Sequence, residues 1–209
     1  MNAASPLNES LVQRLPLPLA QLYRRAHNAK TPLERHQAAY YLWEAALKLT
    51  GSLAVCEYAR LGDRDPELAE RLKNLARPAL GHWWEFVRRL VPVLAEAGVG
   101  GFPELREVVL GRVRDDLPRL AGLFAALGEA LGGPGGPRSS VRLSELFDRL
   151  VQYRNAVVGH GAVGQHPPEY YARLSGALLG GLGELLDRVD LLAGRRLVFI
   201  TDVRRHAVQ

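Results

Sequence analysis

Apolar residues recur three or four positions apart along most of this 209-residue chain, which is the spacing of an amphipathic α-helix. The pattern predicts helices over residues 15–29, 31–61, 65–76, 80–97, 103–131, 140–159 and 167–192. The chain is long enough to bury a substantial core within one domain. We therefore expect an all-α helical bundle with extra helical material at its N-terminal end.

Capping and helix-breaking residues predict two of the boundaries. Thr31 is a favoured N-cap residue, and Pro32 follows it at the first helical position. A long helix is therefore expected to begin there. Pro118 lies inside the helix predicted over residues 103–131, and proline removes a backbone donor, so this helix should be bent or interrupted near that residue.

A run of glycines and prolines at residues 132–137 predicts a flexible connection in which no helix or strand persists. It does not end in the Lys followed by Ser or Thr that a phosphate-binding loop needs, so the run is interpreted as a linker. Beyond it, Ser140 or Ser144 is expected to cap the next helix, because serine accepts hydrogen bonds from the free backbone N–H groups of a first turn.

The last predicted helix is unusually rich in glycine. Gly176, Gly180, Gly181 and Gly183 each cost about 1 kcal/mol of helix propensity. Such a cost is tolerable when another helix packs closely against the glycine face. We therefore expect a close helix contact along this surface.

The segment Leu197–Thr201 is the one stretch with a clear preference for a β-strand, and arginines flank it. A lone strand needs a partner, so it either starts a further domain or linker or pairs between subunits. The expected organisation is an N-terminal docking helix in residues 1–30, a helical domain in 31–194 and the strand segment in 195–209.

Composition narrows the class of protein only slightly. The net charge of +5 permits binding to a polyanion, but acidic residues are interspersed with the basic ones, so charge alone decides nothing. No signal peptide or membrane-spanning stretch is recognisable, and a soluble protein without membrane contact is expected. The single Cys56 has no disulfide partner in the chain, and its apolar neighbours predict a packed, reduced thiol in the cytoplasm.

The candidate chemistry lies at the end of the helix over residues 140–159. Arg154, Asn155 and His160 place a permanent cation, a polar amide and a titratable imidazole within seven residues. RNA carries its own nucleophile, the 2′-hydroxyl, so its cleavage needs mainly proton transfer by His and phosphate stabilisation by Arg. On an ideal helix Arg154 and His160 would lie about 120° apart. The helix must therefore loosen before His160, and Gly159 and Gly161 are suited to this.

The chain contains other Arg and His residues that could form a site. Arg77 and His82 have similar spacing, but a proline follows the Arg, so this pair is interpreted as a chance occurrence. Arg149 is expected to guide RNA by its charge. His160 and His166 lack Cys, Asp or Glu at ligand spacing, so no metal site is expected.

The segment Tyr153-Arg154-Asn155, with five residues between Arg154 and His160 and a position at a helix end, resembles the motif of the HEPN superfamily of small all-helical domains. The resemblance implies a metal-independent endoribonuclease without a cofactor. It implies catalytic roles for Arg154, Asn155 and His160 alone, at a composite site formed across a homodimer. A prokaryotic defence or toxin system, with a regulatory partner protein or further domain, is the implied setting.

Two other functions remain open at this point. Many members of that superfamily have lost activity, and the chain is also compatible with a non-catalytic dimerisation or adaptor module. The second of these functions is that of a module that senses a nucleotide through Arg154. Cleavage of RNA that depends on Arg154 and His160 distinguishes the first function from the other two.

Overall fold

The computed structural model describes residues 7–62, 65–113, 117–133, 141–158, 166–193 and 195, and the architecture is all-α, as the sequence predicts. The helices are α1 (Glu9–Arg14), α2 (Leu17–Asn28), α3 (Pro32–Arg60), α4 (Pro66–Arg71), α5 (Leu80–Glu96), α6 (Phe102–Leu110), α7 (Pro118–Ala130), α8 (Leu143–Tyr153) and α9 (Pro168–Arg188). Short 3₁₀ turns follow α4 (Leu72–Ala76) and α9 (Asp190–Leu192), and a π-turn (Arg154–Val158) follows α8.

The long helix α3 lies at the centre of the bundle and packs against α2, α5 and α9. Its predicted start is confirmed. The Thr31 hydroxyl accepts from the backbone N–H of Glu34, whose carboxylate in turn accepts from the backbone N–H of Thr31, with both distances 3.2 Å. This reciprocal cap, with Pro32 in the first turn, satisfies donors that a helix start leaves free.

Tryptophans link the central helix to its neighbours. The Trp43 indole donates to the backbone carbonyl of Leu178 in α9 at 2.8 Å. Phe147 of α8 lies between two tryptophans, edge-on to Trp43 and stacked on Trp84 at a centroid distance of 4.6 Å. These contacts fix α8 against α3 and α5, and α8 is the helix that leads to the candidate site.

The region predicted as one interrupted helix over residues 103–131 consists of two helices, α6 and α7, with Pro118 in the first turn of α7. Between them, β1 (Arg112–Val113) pairs antiparallel with β2 (Val141–Arg142), a small ribbon that the sequence analysis did not predict. The start of α7 is capped from a distance, because the Glu184 carboxylate of α9 accepts the backbone N–H groups of Arg119 and Leu120.

Some boundary predictions need correction or lie outside the described residues. The N-cap position of α8 is Arg142, without a side-chain hydrogen bond, so the prediction that Ser144 caps this helix is wrong. Ser140 and the predicted strand Leu197–Thr201 lie outside the described residues. So does most of the connection at 132–137.

The N-terminal region contains two helices rather than one, because α1 precedes the predicted docking helix. Buried residues of both helices, Leu11 and Leu19 among them, belong to the same apolar core as α3 and α9. Arg14 also forms ion pairs with Asp187 in the last turn of α9 and with Asp190 in the 3₁₀ turn that follows. These contacts hold the N-terminal helices against the bundle.

Cys56 is exposed on α3, so the prediction of a packed thiol is wrong. It lies on the outer face of a helix whose other faces are covered by α2, α5 and α9. In the described part of the chain, every helix is too short or too polar to cross a membrane.

The expected close contact along the glycines of α9 is present at two of the four positions. A Cβ atom at Gly181 would lie 3.0 Å from Cδ2 of Leu123 in α7. A Cβ atom at Gly180 would lie 3.5 Å from Cδ of Arg119. At Gly176 and Gly183 a Cβ atom would meet nothing within 4 Å. Only part of the glycine face is therefore explained by helix packing.

This difference predicts opposite effects of two substitutions. Gly176→Ala should raise the free energy of unfolding by about 0.5–1 kcal/mol, because alanine restricts the unfolded chain and meets open space. Gly181→Val should lower it by about 1–3 kcal/mol, because the added methyl groups press on Leu123. Urea denaturation measures both, with Gly183→Ala as a second control in open space. Equal stability of Gly176→Ala and Gly181→Val would contradict the packing described.

Candidate functional site

The candidate segment begins where α8 loosens. The regular helix ends at Tyr153, and Arg154–Val158 forms a π-turn. The prediction that the helix loosens before His160 is therefore confirmed, although the change begins at Arg154 rather than at the glycines. Single π-turns within helices occur frequently at functional sites, because the wider turn redirects the side chains that follow.

Two buried side chains hold the turn in place. Tyr153 is fully buried and Val157 is buried four residues later, whereas Arg154, Asn155 and Ala156 between them are exposed. The backbone of the turn is thus anchored on both sides while its polar residues face solvent. The guanidinium of Arg154 and the amide of Asn155 are therefore exposed on a backbone segment that is anchored in the core.

The Arg154 guanidinium donates to the Asn155 side-chain oxygen at 3.3 Å. No carboxylate of the described residues lies within the 4.0 Å of an ion pair with Arg154, although many other arginines here have such partners. An exposed arginine with no carboxylate partner among the residues described can bind an anionic ligand, and its planar fork matches phosphate oxygens. The structure thus brings Arg154 and Asn155 together, while His160 lies outside the described residues.

A buried polar cluster lies directly behind the turn. The Tyr153 hydroxyl and His36 Nε2 of α3 share a hydrogen bond of 2.8 Å, and His36 is only 1 % exposed. Tyr40, one helical turn after His36, has its ring centroid 6.2 Å from that of Tyr153. The ring centroid of Tyr171 in α9 lies 5.3 Å from that of His36, so three helices contribute to the cluster.

Burial changes the ionisation of this cluster. It lowers the pKa of His36 to about 4, and the positive charge of nearby His166 acts in the same direction. Burial also raises the pKa of the Tyr153 and Tyr40 hydroxyls. The positive charge of Arg154 lowers the pKa of Tyr40, against the larger effect of burial. At neutral pH the cluster is uncharged beneath an exposed cation.

The sequence analysis did not identify His36. The residue lies four positions before Tyr40 and seven before Trp43, on the apolar face of α3. A histidine within such an apolar repeat is the sequence signal for a buried imidazole. Its partner Tyr153 is 117 positions away in the chain, so the repeat by itself did not indicate what the imidazole contacts.

The tyrosine pair at the start of α9 has two different environments. Tyr171 is buried and its hydroxyl accepts from the backbone N–H of His166 at 3.3 Å. Tyr170 is half-buried and stacks on the exposed His166 ring at a centroid distance of 4.1 Å. Burial raises the pKa of the Tyr170 hydroxyl. These residues cover the α9 side of the cluster.

Two other predicted residues have specific structural surroundings. Arg149 donates to the carbonyl of Phe124 at 2.9 Å, and its guanidinium carbon lies 3.6 Å above the Phe124 ring. Arg149 therefore has a packing partner in α7, and its expected role in guiding RNA stays a prediction. In the second Arg and His pair, His82 Nδ1 accepts from the backbone N–H of Ala79 at 3.1 Å and supports the start of α5, consistent with a chance spacing.

Among the residues that the structure describes, no group of three His, Cys, Asp or Glu side chains is placed to hold a metal ion. No family model, curated protein or solved structure matches this chain.

Proposed function

We propose that this protein is a metal-independent endoribonuclease of HEPN type. The observation that carries the proposal is the π-turn at the end of α8, where Arg154 and Asn155 are exposed together and Arg154 has no carboxylate partner among the described residues. His160 follows after five residues in the sequence. A cation, an amide and an imidazole at such spacing supply what phosphodiester cleavage in RNA requires.

In this mechanism the RNA supplies the nucleophile. The 2′-hydroxyl oxygen bonds to the adjacent phosphorus, its proton passes to a base, and the bond from phosphorus to the 5′-oxygen breaks as that oxygen gains a proton. His160 acts as the general acid or base. Arg154 stabilises the additional negative charge on the phosphate, and Asn155 orients the phosphate by hydrogen bonds.

The proposal includes a composite site in a homodimer. Cleavage needs one group that accepts a proton and another that donates one, and a second copy of the motif would supply the second imidazole. The biological setting of the proposal is a prokaryotic defence or toxin system in the cytoplasm, in which a regulatory partner restrains or activates the enzyme. Both statements follow from the resemblance of the Arg154 to His160 segment to HEPN domains.

The test is incubation of the purified protein with end-labelled single-stranded RNA in the presence of a chelator. We expect cleavage that leaves a 2′,3′-cyclic phosphate and a 5′-hydroxyl, because the 2′-oxygen is the nucleophile. DNA of the same sequence should remain intact. Arg77→Ala is the matched control for Arg154→Ala and His160→Ala, since Arg77 is an exposed arginine of the second Arg and His pair.

The outcome separates the proposed function from its rivals. RNA that stays intact, or RNA and DNA cleaved alike, contradicts the ribonuclease. Intact RNA with stable self-association would favour the adaptor module. A nucleotide that raises the melting temperature of the wild type, but not of Arg154→Ala, would favour the sensing module.

A further inference from the structure

The pair of His36 and Tyr153 is a buried polar contact that the cleavage mechanism does not use. Both side chains are almost inaccessible to solvent, and their 2.8 Å hydrogen bond joins α3 to the last residue of α8. A histidine at a core position costs desolvation that an aliphatic side chain would avoid. His36 Nδ1 has no hydrogen-bond partner in the part of the chain that the structure describes, which adds to this cost. An aliphatic side chain at position 36 would therefore stabilise the core more than this histidine does.

The position of Tyr153 connects this contact to the candidate site. Tyr153 is the residue immediately before Arg154, at the point where regular helix changes to π-turn. Val157 anchors the far side of the turn by apolar packing, which is not directional. The hydrogen bond to His36 is directional, and it restricts the rotation of the Tyr153 ring and of the backbone that carries it.

Aromatic rings also connect α3 and α8 on this side of the bundle. Near the turn, α3 and α8 meet through aromatic side chains, with Tyr40 against Tyr153 and, two turns back, Trp43 against Phe147. The Tyr40 ring packs against Tyr153, but its buried hydroxyl has no hydrogen-bond partner among the described residues. Among the described side chains of α3, His36 is thus the one with a hydrogen bond to Tyr153, the residue after which the turn starts.

We propose that His36 is a positioning residue. Through Tyr153 it fixes where the π-turn begins and the direction in which Arg154 and Asn155 leave the surface. The effect on catalysis rests on the proposed function, whereas the effect on the geometry of Arg154 does not. His36 itself is buried and reaches RNA only through this chain of contacts.

The experiment compares His36→Leu, His36→Gln, Tyr153→Phe and the double variant His36→Leu/Tyr153→Phe. Tyr58→Phe is the matched control, because the buried Tyr58 hydroxyl donates to the Asp65 carbonyl at 3.3 Å elsewhere in the fold. The first readout is the NMR signal of the Arg154 Nε–H group, assigned by its loss in Arg154→Lys. The second is the single-turnover rate of RNA cleavage at a temperature where circular dichroism shows every variant to be folded.

We expect the chemical shift of the Arg154 Nε–H group to change in His36→Leu and in Tyr153→Phe, and to stay the same in Tyr58→Phe. Each of the two single variants should lower the cleavage rate by about 10- to 100-fold, since small displacements of catalytic groups are costly. The double variant should lose no more than the larger single loss, because both changes remove one interaction. His36→Gln, which can still bond to Tyr153, should recover part of the rate.

The two readouts keep this inference separate from the proposed function. If the wild type does not cleave RNA, the proposed function fails while the NMR signal still decides the role of His36. An Arg154 signal that does not move in His36→Leu and Tyr153→Phe overturns the positioning role. So does a cleavage rate that falls no further in these variants than in Tyr58→Phe.

Discussion

His160→Ala is expected to reduce RNA cleavage by about 10²- to 10⁴-fold while the protein stays folded, because proton transfer by a positioned side chain contributes about that much. Arg154→Ala should reduce it by about 10²- to 10³-fold, the usual cost of removing one group that stabilises charge in the transition state. Single-turnover cleavage of labelled RNA in chelator measures both effects.

Two comparisons make this prediction specific. Arg154→Lys keeps the charge but loses the planar fork, so it should recover only part of the rate. Arg77→Ala removes an exposed arginine elsewhere and should cleave like the wild type. Wild-type rates in both His160→Ala and Arg154→Ala would show that the chemistry lies elsewhere. Because Arg154 is exposed, its replacement should leave the melting temperature nearly unchanged, which separates lost chemistry from lost folding.

The second large effect is a loss of stability in acid that depends on His36. Its pKa is about 4 in the folded protein and about 6.5 in the unfolded chain, so the unfolded state binds the proton first as the pH falls. Relative to neutral pH, the free energy of unfolding should therefore drop by about 2 kcal/mol at pH 5 and about 3 kcal/mol at pH 4 from this group alone. Urea denaturation across this range measures the loss.

The physical reason is that burial removes water from His36, and among the described residues no carboxylate forms an ion pair with it. The raised pKa values of Tyr40 and Tyr153 keep their hydroxyls neutral, the ring of Tyr171 from α9 packs beside the imidazole, and His166 lowers the pKa of His36 further. His36→Gln does not titrate, so its stability should decline less steeply between pH 7 and pH 4. Parallel curves for the wild type and His36→Gln would refute the assignment.

His27 is the comparison residue for this experiment. Burial lowers its pKa, and the charge of Arg35 adds to the effect, so it should contribute in the same direction. His27→Gln therefore tests whether the acid sensitivity is shared. We expect it to remove part of the pH dependence and to leave the part that depends on His36.

Local sequence signals predicted much of the helical architecture. Thr31 and Pro32 mark the start of α3, and Pro118 marks the start of α7, because capping and the missing proline donor act within one helical turn. The apolar repeat likewise predicted the fold class. The loosening of the helix before His160 also followed from local geometry, since Arg154 and His160 do not share a face on a regular helix.

What the chain alone determined are features that depend on neighbours a few residues away: the helices, most of their ends, and the pairing of Arg154 with Asn155. Only the tertiary structure decided contacts between distant segments. Glu184 caps a helix that begins 66 positions earlier, and His36 bonds to Tyr153 across 117 positions. The physical reason is that periodicity shows which side of a helix is buried, whereas the partner that meets that side depends on how all the helices pack together.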